Sequence, residues 1–226
     1  MGHKPTIKIV ELSEDSIRFL LTNCDVSLAN ALRRAIIAEV PTMAIDMVTI
    51  ETNSSNQQAE FLAHRLGLIP LRSMYKKKSF QDFFVHTNEC HCQEECLKCT
   101  ARFQCFVTAS EKSPRVVTTD DIIPEMGWEN QAVLPVSYLI EGVETPISFL
   151  TLEKGQSIKF RASAKLGIGK NHAKWSPVSI ATYQMTENGN EFDFKVETLG
   201  GITPVDILKT AIQVLKTKVQ GLVHKK

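Results

Sequence analysis

The sequence predicts an α+β fold, two amphipathic helices among many short strands, with a metal-binding loop set into it. Three observations lead there. Strand-like alternation of apolar and polar residues recurs along the chain, as in Thr6 to Leu12, Thr100 to Ala109 and Ser157 to Ala164. Apolar residues at three- and four-residue spacing mark one helix around Leu28 to Val40 and another from Val205 to about Leu222. Cys90, Cys92, Cys96 and Cys99 fall within ten residues as C-x-C-x3-C-x2-C, a density that needs a cause.

Each element has a local reason. Thr6–Leu12 and Ile17–Leu21 alternate around a Ser13-Glu14-Asp15 turn and read as a hairpin. Asn23 and Asp25 can cap the helix that carries Leu28, Ala31, Leu32, Ala35 and Ile36, and Pro41 stops it. Residues 45–52 read as a strand, and 58–66 as a short helix closed by Gly67. A Lys76-Lys77-Lys78 run precedes the cysteine loop. Thr100 to Ala109 leaves that loop as a strand, which makes Cys105 a core residue. Residues 111–135 are rich in Pro, Asp and Glu and read as loops with short elements. Strands follow at 147–152 and 157–164, then a basic, glycine-punctuated stretch at 165–177. A strand at 192–198 and the Gly200-Gly201 and Pro204 signals introduce the last helix, with its stripe of Leu208, Ala211, Ile212, Leu215, Val219 and Leu222.

Composition narrows the function. The chain has 226 residues, 43% hydrophobic and 23% charged, close to globular averages. With 26 basic and 25 acidic residues, the net charge of +1 leaves no overall footprint for nucleic acid, so no direct contact with it is expected. No apolar run approaches the roughly 20 residues of a membrane helix. The first residues lack the apolar stretch of a signal peptide, so a reducing, intracellular location is expected, where clustered cysteines bind metal rather than pair. Four thiolates can close a tetrahedron around Zn²⁺ at about 2.3 Å per bond, leaving no open position for water or substrate; such a zinc is structural. The loop 86–99 is too polar to fold on apolar burial, so losing its metal should unfold it.

The usual constellations of catalysis do not emerge. Asp120-Asp121 and the Glu191/Asp193 pair are weak stand-ins for a two-metal carboxylate site and read as a cap and a solvated strand face. Gly167-x-Gly169-Lys170 lacks the spacing of a phosphate-cradling loop. Cys24 and Ser27 have no base at a defensible spacing, and Cys24 reads as a buried strand-end residue. The two helix stripes remain open to two readings, as cover for the chain's own sheet or as a surface for a partner's helices.

At Asn30-Ala31-Leu32-Arg33-Arg34, followed by Pro41, Ala44, Val48, Asn53 and Glu60-Phe61-Leu62-Ala63-His64-Arg65-Leu66-Gly67-Leu68-Ile69-Pro70, the chain resembles the alpha-like subunits of multisubunit RNA polymerases. The downstream cysteine loop, the stretch Gly167 to Trp175 and the Pro204-Val205-Asp206 helix start are similar to the polymerase II branch of that family. The polymerase I and III branch and the archaeal branch, whose cysteines can hold an iron–sulfur cluster, are its near alternatives. A free-standing zinc module that binds nucleic acid, drawing on Lys76 to Lys78 and Lys170 to Lys174, is the alternative from another class.

The resemblance implies a discontinuous dimerization domain, residues 1–40 with 179–226, around a mainly β insert, 41–178, that carries the zinc loop. It implies a nuclear, non-catalytic subunit that pairs with a smaller alpha-like subunit and then docks the second-largest, catalytic subunit, alongside small zinc-binding polymerase subunits. Leu28, Leu32, Ala35 and Ile36 of the first helix, and Leu208, Ile212, Leu215 and Val219 of the last, would then face the partner. Arg33 and Arg34 would touch the second-largest subunit, or else stand solvated on their helix; a guanidinium suits the first role because it holds carboxylates or carbonyls in a fixed fork. His172, Lys174 and Trp175 form a second contact in one reading, and Trp175 a core anchor in the other. His64-Arg65 reads as a buried cap or salt bridge in the insert. Two departures stand out: Ala59-Glu60 where the family has Asp-Glu, and a short connection from Trp175 to Phe192 with no acidic tail, as in a pared-down version.

Overall fold

The computed structural model describes residues 4–73, 80, 83–93, 95–129, 133–186 and 189–223. The Lys76 to Lys78 run lies outside the described residues. The chain begins with strands β1 (Thr6–Leu12) and β2 (Ser16–Thr22), helix α1 (Val26–Ala38), β3 (Pro41–Asn53), α2 (Ala59–Gly67) and β4 (Leu71–Ser73). It continues through β5 (Thr100–Thr108), β6 (Arg115–Thr118), β7 (Ile123–Pro124), β8 (Val133–Pro135), β9 (Ser137–Ile140), β10 (Val143–Pro146) and β11 (Ser148–Leu152). The last elements are β12 (Ser157–Ile168), β13 (Val178–Met185), β14 (Glu191–Thr198) and α3 (Pro204–Val223). They form two compact units, Met1–Thr42 with Ile168–Lys226 and Met43–Gly167.

Unit 1 is a four-stranded antiparallel sheet in the order β1-β2-β14-β13, with α1 and α3 packed against it. On β2, alternation sends Ile17, Phe19 and Leu21 inward, and β14 answers with Phe192, Phe194 and Val196. The rings of Phe19 and Phe194 stack with centroids 4.9 Å apart and planes within 7°. Over these sit Ala29, Leu32, Ala35 and Ile36 of α1 and Ile207, Leu208 and Ala211 of α3. On the opposite face of the sheet, Arg18 NH2 pairs with Asp193 at 2.6 Å.

Both helices are capped by their own sequence. Asp25 accepts the Leu28 N–H at 2.8 Å, as an N-cap aspartate should. Thr203 accepts the Asp206 N–H at 3.2 Å and donates its hydroxyl to the Asp206 carboxylate at 2.7 Å, with Pro204 in the first helical position. Lys218 of α3 pairs with Glu39, just past α1.

Unit 2 is built on a second sheet, β3-β12-β5-β7, with three strand pairs around it: β4 with β8, β6 with β11, and β9 with β10. Phe103, Cys105 and Val107 of β5 lie buried beside Ile158, Phe160 and Ala162 of β12, and Phe149 meets Phe160 edge-on at 6.2 Å. Leu62 and Leu66 of α2 are buried as well.

Several expectations are corrected here. Helix α1 ends at Ala38, and Pro41 opens strand β3, which starts before residue 45; proline is tolerated at a strand's first position because no ladder N–H is needed there. Strand β13 has no counterpart in the sequence reading. A bulge between Val178 and Ile180 breaks its alternation, and with it the period-two signal. By its contacts the chain returns to unit 1 at Ile168, where Lys170 donates its N–H to the Ala38 carbonyl at 2.8 Å and Gly169 lies against Ile37.

A Cβ at Gly169 would overlap the Ile37 carbonyl oxygen, which is backbone and cannot swing away. Gly169→Ala should cost about 1–3 kcal/mol in urea unfolding of unit 1, and an unchanged midpoint would mean that the chain does not re-enter against α1. Burial pushes the Cys105 thiol up to about 12, so at pH 8 it stays protonated. Iodoacetamide should leave Cys105 unlabelled in the folded chain and label it fully in denaturant, as read by mass spectrometry.

Candidate metal centre and partner surfaces

The cysteine loop is assembled by backbone bonds before any metal is invoked. Val85 donates to the Lys98 carbonyl at 2.7 Å and closes the base of the loop. Cys90 N–H reaches the His86 carbonyl at 3.1 Å, and the Cys99 and Thr100 N–H groups both bond the Cys96 carbonyl at 3.0 Å. These turns bring the thiols together from both sides. Cys99 is buried at the root of β5, while Cys90, Cys92 and Cys96 are half-buried.

The sulfurs fit one tetrahedral ion. All four Sγ atoms lie within 4.8 Å of one another, with Cys90 to Cys96 at 3.6 Å, Cys92 to Cys99 at 3.7 Å and Cys96 to Cys99 at 3.8 Å. A tetrahedron with metal–sulfur bonds of about 2.3 Å has edges of about 3.8 Å. A disulfide would need about 2.05 Å, so these cysteines are not crosslinked and could hold a metal ion. Hydrogen bonding with the Cys90 and Cys99 thiols holds the Cys92 pKa up, to about 12, so a divalent cation binding here must displace protons.

One acidic side chain holds the loop to the sheet. Arg102 of β5 places Nε and an NH2 group 2.9 Å from Glu95 Oε2, and Lys165 of β12 lies 3.3 Å from Glu95 Oε1. Glu95 sits between the second and third cysteines, so this clamp orients the ligand set from within its own loop. The sequence reading missed it, because nothing local marks Glu95 as different from its neighbour in the loop.

In unit 1 the apolar residues of the helices divide into two groups. Leu32, Ala35, Ile36 and Leu208, expected at a partner surface, are buried in the chain's own core, because the sheet claims that side of each helix. Leu28 and Ile212 are exposed, Leu215 is half-buried against the core, and Val219 and Leu222 are 61% and 75% exposed. From Ile212 onward no described residue of α3 is buried. Strand β1 adds to this surface: Ile7, Ile9 and Leu12 pair with Leu21, Phe19 and Ile17, so they stand on the helix-bearing face of the sheet, yet all three are exposed.

The remaining predicted positions are more ordinary. Arg33 is half-buried and rests on Asn30 of its own helix, at 3.0 and 3.3 Å, while Arg34 is exposed. The Trp175 ring meets His172 edge-on at 6.4 Å and carries Lys174 Nζ over its face at 4.3 Å. Trp175 is half-buried, and its carbonyl accepts the Thr42 hydroxyl at 2.9 Å, so it is not a core anchor. His64 and Arg65 are exposed on the last turn of α2, which corrects the buried cap or salt bridge expected there. Cys24 is half-buried rather than buried. No described helix is long and apolar enough to cross a membrane.

The chain belongs to the RNA polymerase Rpb3/Rpb11 dimerisation domain family, whose model matches residues 18–219. It is 47% identical over 186 residues to DNA-directed RNA polymerase II subunit rpb3 of Dictyostelium discoideum, covering 81% of this chain and 59% of that one. It is 37% identical to subunit 3 of DNA-directed RNA polymerases II, IV and V of Arabidopsis thaliana, over 96% of this chain and 67% of that one. DNA-directed RNA polymerase II subunit RPB3 of Schizosaccharomyces pombe is 30% identical over 99% of this chain and 88% of its own length.

Cys92→Ser should weaken metal binding at least about tenfold, measured as metal bound per chain during chelator competition, while the unit 1 core stays folded. Full metal occupancy in that variant would show that the four sulfurs do not act as one site.

Proposed function

We propose that this chain is a non-catalytic core subunit of DNA-directed RNA polymerase II that works in the nucleus. It pairs with a smaller alpha-like subunit, and the pair receives the second-largest, catalytic subunit. The observation that carries this reading is the uncovered apolar surface of unit 1, made by Ile7, Ile9 and Leu12 of β1 and by Ile212, Val219 and Leu222 of α3. In water such a surface is unfavourable by about 25 cal/mol per Å², and burial against a partner's helices removes that cost. Family membership and the polymerase II relatives support the same assignment. The polymerase I and III, archaeal and free-standing nucleic-acid readings have less behind them.

In this reading the cysteine loop holds one structural Zn²⁺, as four thiolates at one tetrahedron's edge length would suit. Arg34 and the His172, Lys174 and Trp175 group are surface positions suited to contacts with the larger subunits, and Arg33 lends its helix a half-buried positive charge.

Co-expression with an alpha-like partner tests the proposal. The two chains should co-purify as a 1:1 complex, and Ile212→Asp combined with Val219→Asp should raise its Kd at least about a hundredfold, close to 2.8 kcal/mol. A soluble, stable monomer with no affinity for such a partner would sink the reading. Assembly that proceeds at full yield without bound zinc would remove the structural role given to the metal.

A further inference from the structure

Between Val116 and Glu153 the chain holds seven acidic residues and no Lys, Arg or His, although the whole chain carries 26 basic against 25 acidic residues. Within this stretch, β9 and β10 form a two-stranded arm in unit 2 that pairs with no other strand among the described residues. Its turn, Glu141-Gly142, has positive φ at both residues, 51° and 83°, the tight geometry that fixes a hairpin in advance. The arm is apolar on both faces. Ile140 and Val143 form a cross-strand pair that is 55% and 65% exposed, and Leu139, on the opposite face beside Glu144, is 72% exposed.

A cleft of about 460 Å³ opens at the base of the arm, walled by Ile123, Pro124, Leu134 and Pro146, with two acids, Asp120 and Glu144, and one cation, Arg72, also in its lining. That volume falls within the roughly 300–1,000 Å³ of ligand clefts. Some of the acids are already matched inside the unit: Glu125 by Arg102 and Arg161, and Asp121 by Arg115. Glu144 is matched by Arg72 at 3.5 Å and by the Ser137 hydroxyl, whereas Asp120 and Glu141 have no ion partner among the described residues.

We infer that the β9–β10 arm and this cleft dock an extended, basic and apolar segment of another protein. An edge strand offers unpaired backbone groups, the exposed Leu139, Ile140 and Val143 offer apolar area, and the unmatched carboxylates select Lys or Arg. Phosphate backbones are repelled by the same charges. A second copy of this chain would bring its own carboxylates against these. The inference does not depend on how the apolar face of α3 and β1 is covered.

The test uses the full chain and two fluorescein-labelled ten-residue peptides, one alternating Val and Lys, the other Val and Glu, read by fluorescence anisotropy. The lysine peptide should bind at least tenfold more tightly than the glutamate peptide and weaken as salt is added. Leu139→Ser with Glu141→Lys should reduce its affinity at least tenfold, and so should Asp120→Lys at the other wall, whereas Glu11→Lys in unit 1 should not. Circular dichroism checks that each variant is folded, and the Asp120 variant stands if the arm variant is not. Equal binding of both peptides, affinity unmoved by both variants, preference for a labelled oligonucleotide, or self-association abolished by the arm variant would each overturn the inference.

Discussion

Everything in unit 1 depends on β2 lying beside β14, two strands whose facing residues stand about 175 positions apart in the chain. That pairing stacks Phe19 on Phe194 on the inner face and joins Arg18 to Asp193 on the outer one. Each helix then has only half of its cover from nearby sequence: α1 follows β2, α3 follows β14, and neither hairpin alone presents enough apolar surface to hold a helix. Closing so long a loop costs entropy that grows only slowly with length, so an intervening unit of any moderate size is tolerable once the strand pair is well packed. The discontinuous domain is the result.

The metal loop obeys a different logic. Its segment carries charged and polar residues that cannot hold a fold through burial, and its order comes from short backbone turns and from the Glu95 contacts with Arg102 and Lys165. Four sulfurs placed at the edge length of one tetrahedron are then a site whose geometry precedes the ion. A tetrahedral ion held by all four thiolates would have no open position for water or substrate.

What could be read in advance follows the range of the signal. Helix caps, hairpin β1–β2 and the cysteine spacing are local patterns, and they appear in the structure where the sequence places them. Family motifs carried the assignment of the fold. Features set by tertiary context were not legible. The bulge in β13 hid its alternation, and the β9–β10 arm is apolar on both faces, so no period-two pattern announced it. The helix stripes of α1 and α3 were visible as stripes, but a stripe does not say which part of it meets the chain's own sheet. Leu32, Ala35, Ile36 and Leu208 turned inward, and Ile212, Val219 and Leu222 did not. Exposed His64 and Arg65 were misread for the same reason.

The strand pairing also sets an order of events in time. During synthesis, β1, β2 and α1 emerge long before β14 and α3, and at about 5–20 residues per second the wait is roughly 10–35 seconds. Until then Ile17, Phe19, Leu32 and Ile36 have nothing to pack against, whereas Met43–Gly167 has all of its own strands and can fold first. The nascent chain therefore exposes the apolar side of this hairpin and helix while the intervening unit is already complete, until the closing strand pair arrives.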